Sequence, residues 1–548
     1  MARANWLAYF RPHPGSETPA ALRLVIAAIT GAALSLSFTG FYLAMYSFVC
    51  IGVLLVVVFG ARPWIAFACG FVHAFLFVLT SVPWIAEVLS VHGGLSTAGG
   101  WSVLLLIAAA WGVLVGFFTW SVHRLSQRSI TLACTAAPFV WVTFEFVRAH
   151  LPEISFPWNL LGYPASNSLG LLQLTVVTGI YGLSFLVAGL NALIAWADAA
   201  SSPAPRKRAA ILASTFAALL IVMLAGPRLV PKIAASHAAR VVQPNFPEVQ
   251  QYESNWFQSH TSDLEELGRL SLRPSTGAPE ADLLVWPEAP APFSFQDPQF
   301  AKLASTLSVH FHGPLLVGTI EWRQVVNSSS KGGATPHNVA YNSALLFDAQ
   351  GQRLFVYDKI HLVPFGEYEP FPLIHRVVAS VSDEVGGFAK GVPTYSVGRF
   401  PSGYTFGIFI CYEAIYPGEV RHFAANGAEL LVNISNDGWF GHSAAAQQHL
   451  RMARVRAAEN RRWLIRDTNS GLTASVDPYG RIYQPLPRDV RAGADVPYDF
   501  RTDTTMYARF GDWFAWLCVF VSVVLVGSTF WRPPIAPEEK PVGVAVAA

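Results

Sequence analysis

The chain has 548 residues, of which 53% are hydrophobic and only 13% charged, and its formal net charge is +2. A mean hydropathy of +0.38 is too high for an ordinary soluble enzyme, and the near-neutral balance argues against a nucleic-acid partner. Five cysteines, four of them in long apolar stretches, exclude a disulfide-stapled scaffold.

In chain order, seven apolar stretches precede residue 228: Leu24 to Gly40, Tyr42 to Gly60, Trp64 to Ile85, Trp101 to Val122, Ile130 to Phe146, Leu169 to Trp196 and Ala209 to Leu224. An eighth, Trp513 to Phe530, follows a long polar region. Most reach the ~17 to 25 residues that a helix needs to cross a bilayer, which predicts eight spans. The basic leader with Arg3, Arg11 and Arg23 is long and other spans follow at once, so the first stretch reads as a signal anchor. Trp64, Trp84, Trp101 and Trp513 lie at segment edges, as expected at a membrane interface. His73, in the third stretch, reads as a hydrogen-bonded buried histidine. Glu145 and Arg148 read as an interfacial ion pair one helical turn apart, with a contact to a lipid headgroup as the alternative.

Basic residues in the short loops set the orientation. The leader, Arg62, Arg124 with Arg128, the Arg206-Lys207-Arg208 cluster and the tail with Arg532 and Lys540 would share one side, whereas Glu87 to Gly100 carries no Lys or Arg. Both termini are then expected in the cytoplasm. The expected organisation is a seven-helix membrane domain over 1–227, a periplasmic catalytic domain over 228–507, an eighth helix within 508–532 and a cytoplasmic tail over 533–548.

The polar region has α/β periodicity. Short runs rich in Val, Ile, Leu and Phe recur at Ala239 to Gln243, Asp282 to Trp286, Pro314 to Gly318, Ser343 to Phe347, Arg353 to Tyr357, Thr405 to Ile410, Leu430 to Ile434, Trp463 to Arg466 and Thr473 to Val476. Ser259 to Leu272 and Ala444 to Asn460 read as helices between them. The pattern predicts strands covered by helices, a layered sandwich.

Three segments of this region carry the chemistry. Cys411 ends an apolar strand in Phe-Ile-Cys411-Tyr-Glu, Glu288 ends another in Trp-Pro-Glu288, and Lys359 follows a hairpin in Tyr-Asp-Lys359. A thiol near its free pKa of about 8.5 needs a base to take its proton or a positive charge to hold the thiolate. Glu288 supplies the base and Lys359 the charge. The ammonium can also face the oxyanion of a tetrahedral intermediate, together with the backbone N–H of Tyr412. Such a thiol attacks an acyl carbon and forms a thioester, which passes the acyl group to water or to an amine. No cluster has metal-site spacing. Trp439 and Phe440 read as core; carboxylates that hold loops are the alternative reading of Glu367 and Glu413, of equal weight for Glu413.

Trp-Pro-Glu288, the run Tyr-Asp-Lys359-Ile-His-Leu-Val-Pro-Phe-Gly-Glu367-Tyr and Cys411-Tyr-Glu resemble the motifs of the nitrilase, or carbon–nitrogen hydrolase, superfamily. With its membrane part, including Phe156-Pro157-Trp158-Asn159 and Ser435 to Gly441, the chain resembles the apolipoprotein N-acyltransferase family. The resemblance implies a multi-pass helical membrane domain joined to an extracytoplasmic α-β-β-α sandwich. It implies Cys411 as nucleophile, Glu288 as general base and acid, Lys359 as oxyanion stabiliser and Glu367 in support. Tyr412 and Glu413 become sensitive neighbours, and Trp256 the counterpart of a tryptophan on a mobile loop. The implied reaction moves a fatty acyl chain from a glycerophospholipid to the α-amine of an S-diacylglyceryl cysteine of an apolipoprotein, without a cofactor. The implied setting is a monomer in the bacterial inner membrane. A membrane-tethered amidase or nitrilase, with water as acceptor, is the alternative. The apolar run from Tyr368 to Val378 is expected to form an arm dipping into the outer leaflet.

Overall fold

The computed structural model describes residues 19–40, 42–151, 155–247, 259–273, 280–290, 294–326, 336–368, 387–483 and 486–531. Trp256, the tail 533–548 and the expected arm beyond Tyr368 lie outside the described residues.

Among the described residues, six helices are long and apolar enough to cross a membrane: Ala20–Phe38, Pro63–Ser81, Thr97–Ser126, Ile130–Ala149, Ile180–Ala199 and Pro205–Leu229. Pro63 opens its helix where a missing N–H has no cost, and the Ser96 hydroxyl caps Thr97–Ser126 by accepting from Gly99 N at 3.1 Å. These two helices approach closely because Gly70 has no side chain. A Cβ there would lie 2.3 Å from the Val115 carbonyl oxygen, the small-residue contact that lets helices pack where water provides no driving force. Thr119 Oγ1 donates across the same crossing to the Ala66 carbonyl at 2.7 Å. His73 is buried and bonded through Nδ1 to Thr30 Oγ1 at 2.9 Å, as expected.

Several expectations need correction. Arg23 is no part of a free leader: it is buried within the first helix and donates to the Phe59 carbonyl at 3.1 Å. The stretch from Tyr42 to Gly60 folds as a 3-10 turn, Tyr42–Phe48, followed by the helix Cys50–Val58. The last helix, Trp513–Ser528, has 16 residues, about 24 Å at 1.5 Å per residue. The stretch from Leu169 to Trp196 is broken into Leu169–Leu172, Thr175–Thr178 and Ile180–Ala199. Its break is at Gly179, at φ +62°, where a Cβ would lie 2.4 Å from the Tyr507 ring. Glu145 and Arg148 are buried within the protein. Glu145 Oε1 accepts from Leu161 N at 2.7 Å, and Arg148 donates to the Trp158 carbonyl at 3.1 Å with its guanidinium 3.6 Å from the Trp111 ring centroid. The pair braces the 156–161 loop against the helices.

Among the described residues, the polar half contains twelve strands: β1 His237–Gln243, β2 Leu283–Val285, β3 Leu315–Val326, β4 Pro336–Phe347, β5 Arg353–Asp358, β6 Gly398–Arg399, β7 Thr405–Ile410, β8 Leu430–Ser435, β9 Trp463–Thr468, β10 Ala474–Val476, β11 Ile482–Tyr483 and β12 Ala492–Tyr498. They form two six-stranded sheets, β12-β1-β2-β3-β4-β5 and β11-β10-β9-β8-β7-β6. All nine runs read from the sequence are strands. The short β6 and β11 and the edge strand β12 gave no comparable signal.

Alternation along each strand builds the layers. Val241, Val285 and Leu316 face Ile408, Val432 and Ile465 in a core between the sheets. Their neighbours Val242, Leu284, Trp286 and Val317 point outward, onto Phe300 and Leu307 of helix Pro298–Phe311 and Leu267 of helix Thr261–Leu272. Helices Pro417–Ala425 and Ala445–Asn460 cover the other sheet through Val420, Phe423, Ala453 and Ala457. The result is the expected α-β-β-α sandwich. β1, β2 and β3 run parallel, as do β7, β8 and β9, and the carboxyl ends of the two sets meet: Glu288 after β2 accepts from Asn436 N after β8 at 2.9 Å.

Candidate active site

Cys411 follows β7, whose last five residues are fully buried, and begins the 3-10 turn Cys411–Ile415. Its φ is +50°, a conformation that costs a non-glycine residue about 1–2 kcal/mol. The turn lifts the side chain off the end of the strand, where such strain is characteristic of functional positions.

Glu288, Lys359 and Glu367 converge on one point. Lys359 Nζ lies 3.1 Å from Glu288 Oε1 and 3.0 Å from Glu367 Oε1. Lys359 is 1% exposed and its N–H donates to the Asn342 carbonyl at 2.8 Å. The Asn342 amide completes the cluster: Nδ2 donates to Glu288 Oε1 and to Glu367 Oε1, at 2.8 Å each. Glu367 Oε2 accepts from Val363 N at 2.8 Å, which closes the Pro-Phe-Gly-Glu turn on itself.

Charge and burial oppose one another here. Burial alone would pull the Lys359 pKa down, yet Glu288 and Glu367 hold it well above the usual lysine value. The two carboxylates therefore favour the charged ammonium. Burial, with the Glu288 charge, pushes the Cys411 thiol well above its ordinary value, while Lys359 works in the opposite sense. Burial thus favours the neutral thiol at Cys411.

Glu413 is a brace. Its Oε1 accepts from Tyr357 OH at 2.8 Å, Ile360 N at 2.7 Å and His361 N at 3.1 Å, and its Oε2 accepts from Ile410 N at 2.6 Å. It ties the strand that ends at Cys411 to the segment that carries Lys359. Burial pushes its pKa up to about 7, against the pull of the Ile410 N–H. Tyr412 is buried, with its ring 6.4 Å from Phe156 of the membrane half and 5.4 Å from Tyr416.

A protein from Geobacter metallireducens described as apolipoprotein N-acyltransferase is 33% identical over 521 residues, covering 93% of this chain and 96% of that one. The chain belongs to the apolipoprotein N-acyltransferase family. Residues 30–193 match the family's N-terminal domain and residues 239–492 match the carbon–nitrogen hydrolase family. A second relative, from Rhodopseudomonas palustris and similarly described, is 31% identical and covers 78% of each chain. Among solved structures, a carbon–nitrogen hydrolase from Helicobacter pylori G27 aligns with a TM-score of 0.33 at 19% identity, covering 47% of this chain and 89% of that one. As a member of the apolipoprotein N-acyltransferase family, the chain is a multi-pass membrane acyltransferase with a carbon–nitrogen hydrolase domain.

Of the residues singled out in the sequence, Glu288, Lys359 and Glu367 are in direct contact, Cys411 is coupled electrostatically to Glu288 and Lys359, and Tyr412 and Glu413 follow it in the same turn. Trp439, expected in the core, is 37% exposed, with its ring 4.8 Å from His92. Phe440 does pack, against Trp84 and Trp158 at 5.0 and 5.9 Å. Two site residues escaped sequence reasoning. Asn342 is a polar residue in the middle of β4, and Asn436 contributes only its backbone N–H. The signal available for Asn342 was an amide at a strand position that a buried sheet would otherwise fill with an apolar side chain.

Proposed function

We propose that Cys411 carries the acyl group as a thioester between a membrane phospholipid and the amine of a lipoprotein, with Glu288, Lys359 and Glu367 as its catalytic partners. The observation that carries this reading is the buried Lys359 held between two carboxylates, beside a thiol mounted on a left-handed turn.

In the first half-reaction Glu288 takes the Cys411 proton as Sγ attacks the ester carbonyl carbon of a glycerophospholipid. Lys359 Nζ and the Tyr412 N–H receive the oxyanion. When the C–O bond breaks, Glu288 returns the proton to the departing alkoxide and a lysophospholipid leaves. In the second, the free α-amine of an N-terminal S-diacylglyceryl cysteine attacks the thioester carbonyl. Glu288 removes the amine proton and the thiol re-forms as the amide product departs. Glu367 and Asn342 keep Lys359 and Glu288 in register through both halves.

A membrane location for this chemistry follows from magnitude. Drawing an acyl chain into water costs about 0.8 kcal/mol per methylene, on the order of 11 kcal/mol for a chain of about 16 carbons, so the thiol must come to the lipid. We place the catalytic domain, 228–507, on the periplasmic face. In this arrangement residues 1–227 cross the inner membrane seven times, with the Tyr42–Phe48 turn and the Cys50–Val58 helix together making one of those passes, and Trp513–Ser528 crosses as the eighth. Both termini are then cytoplasmic. The loop charges support this orientation, with Arg62, Arg124, Arg128 and Arg206 to Arg208 on the cytoplasmic side.

The test is acyl transfer in vesicles whose phospholipid carries isotope-labelled acyl chains, with a synthetic diacylglyceryl-cysteine peptide as acceptor. Amide-linked label on the peptide, with parallel lines in double-reciprocal plots, is the expected outcome. Labelled free fatty acid with the peptide unmodified would identify a hydrolase instead.

A further inference from the structure

Behind the nucleophile lies a polar network that does not include Glu288, Lys359 or Glu367 and that reaches the Cys411 thiol through Ser435. His449, on helix Ala445–Asn460, has its Nε2 2.9 Å from the carbonyl oxygen of Cys411. Its Nδ1 lies 3.1 Å from Arg466 Nη2 and 3.0 Å from Asp437 Oδ1. Arg466 donates to both Asp437 oxygens at 2.9 and 2.7 Å and also to Asn433 Oδ1. The Ser435 hydroxyl donates to Asp437 Oδ1 at 2.9 Å. His449, Asp437, Arg466, Asn433 and Ser435 are all fully buried.

The proton position on His449 follows from its neighbours. A carbonyl oxygen can only accept and a guanidinium can only donate. Nε2 faces the Cys411 carbonyl and so carries a proton that points at Cys411; the ring is neutral if Nδ1 accepts from Arg466 and doubly protonated if Nδ1 donates to Asp437. If the ring is doubly protonated, Nε2 carries a proton all the same. The donation to the Cys411 carbonyl therefore holds in either charge state.

We propose that His449 is a positioning residue for the oxyanion donor. The carbonyl of Cys411 and the N–H of Tyr412 belong to one planar peptide unit, so a bond that fixes the carbonyl on one side fixes the direction of the N–H on the other. Cys411 sits at φ +50° at the start of the 3-10 turn Cys411–Ile415, where short-turn bonding alone holds the peptide that follows it. His449 adds a side-chain restraint on that peptide, and Arg466 with Asp437 holds the imidazole in place. The Trp158 and Phe440 rings, 5.7 and 5.9 Å from the His449 ring, close the remaining sides. The inference rests on the assignment of the Tyr412 N–H to the oxyanion and deepens it.

The role separates two reactions of the same thiol. Acyl transfer passes through an oxyanion; alkylation of Cys411 by iodoacetamide does not. Full-length protein in nanodiscs should be compared as wild type, His449→Gln and His449→Met. Glutamine keeps an N–H donor at about the Nε2 position, and methionine has nearly the same length with no donor. We expect His449→Met to lower kcat for peptide acylation by about 100-fold, the scale of losing one oxyanion donor, with KM within threefold and the iodoacetamide rate within threefold of wild type. His449→Gln should recover at least tenfold of the lost kcat.

Equal losses of acylation in the Gln and Met variants would overturn the proposal, as would a parallel loss of acylation and alkylation. If His449→Met does not accumulate, His449→Phe, which keeps the ring against Trp158 and Phe440, takes its place with the same expectations. Cys411→Ala runs alongside: acyl transfer surviving in that variant would overturn the thioester reading itself, a result distinct from any failure at His449.

Discussion

The indole N–H of Trp158, in the membrane half, donates to Gln448 Oε1 of the catalytic half at 2.6 Å, and the Gln448 amide donates on to the Ser81 carbonyl at 3.2 Å. Trp158 is fully buried, so no water can replace the lost acceptor. Gln448→Leu should lower stability by about 1–3 kcal/mol, the cost of a buried donor left without a partner. Thermal unfolding in a fixed detergent reads this, and Gln448→Glu, which keeps an acceptor facing the indole, should lose less.

Lys359 is buried and held by two carboxylates. Lys359→Met should reduce acyl transfer by about 10²–10³-fold, the range for removing an oxyanion-stabilising donor. Lys359→Arg should not rescue it, because a planar guanidinium does not reproduce the single Nζ that contacts both Glu288 Oε1 and Glu367 Oε1. Single-turnover rates of thioester formation distinguish this from a binding defect.

Burial and Glu288 raise the thiol pKa of Cys411, so its thiolate is the minor form at neutral pH and grows as pH rises. The rate of iodoacetamide alkylation at Cys411 should therefore climb through pH 7–9 without a plateau. Because Lys359 acts in the opposite sense, Lys359→Met should be alkylated more slowly than wild type at every pH in that window. A plateau near pH 7 in the wild type would show a thiolate already formed at rest.

Glu413 receives four donors and offers none. Glu413→Gln must point an amide N–H at one or more of them, and should cost about 2 kcal/mol, within the range for a buried unsatisfied group. Loss of thermal stability that exceeds the loss of activity per folded molecule is the expected pattern, in contrast with Lys359→Met.

Much of the site was legible because strands announce their ends. The apolar run Thr405 to Ile410 placed Cys411, and Leu283 to Val285 placed Glu288. Glu367 was recognised only through motif resemblance, since its contact with Glu288's partners comes from a loop that folds back through Val363 N. The His449 bond to Cys411 was illegible: a histidine in a helix gives no sign that it reaches a carbonyl 38 residues away in sequence. In the membrane half, hydropathy recorded that Leu169 to Trp196 is apolar but not that Gly179 turns the backbone, because transfer free energy carries no information about φ. The burial of Glu145 and Arg148 escaped for the same kind of reason: their partners are backbone groups of the 158–161 loop, which composition does not register.

The most direct test of the central claim is intact-mass spectrometry of membrane-derived protein, wild type beside Cys411→Ala, before any acceptor is added. The account predicts a fatty-acyl mass increment on the wild type alone, discharged when a diacylglyceryl-cysteine peptide is supplied and gains an amide-linked chain. An increment that persists in Cys411→Ala, or none on wild type with phospholipid present and the thiol reduced, would contradict it.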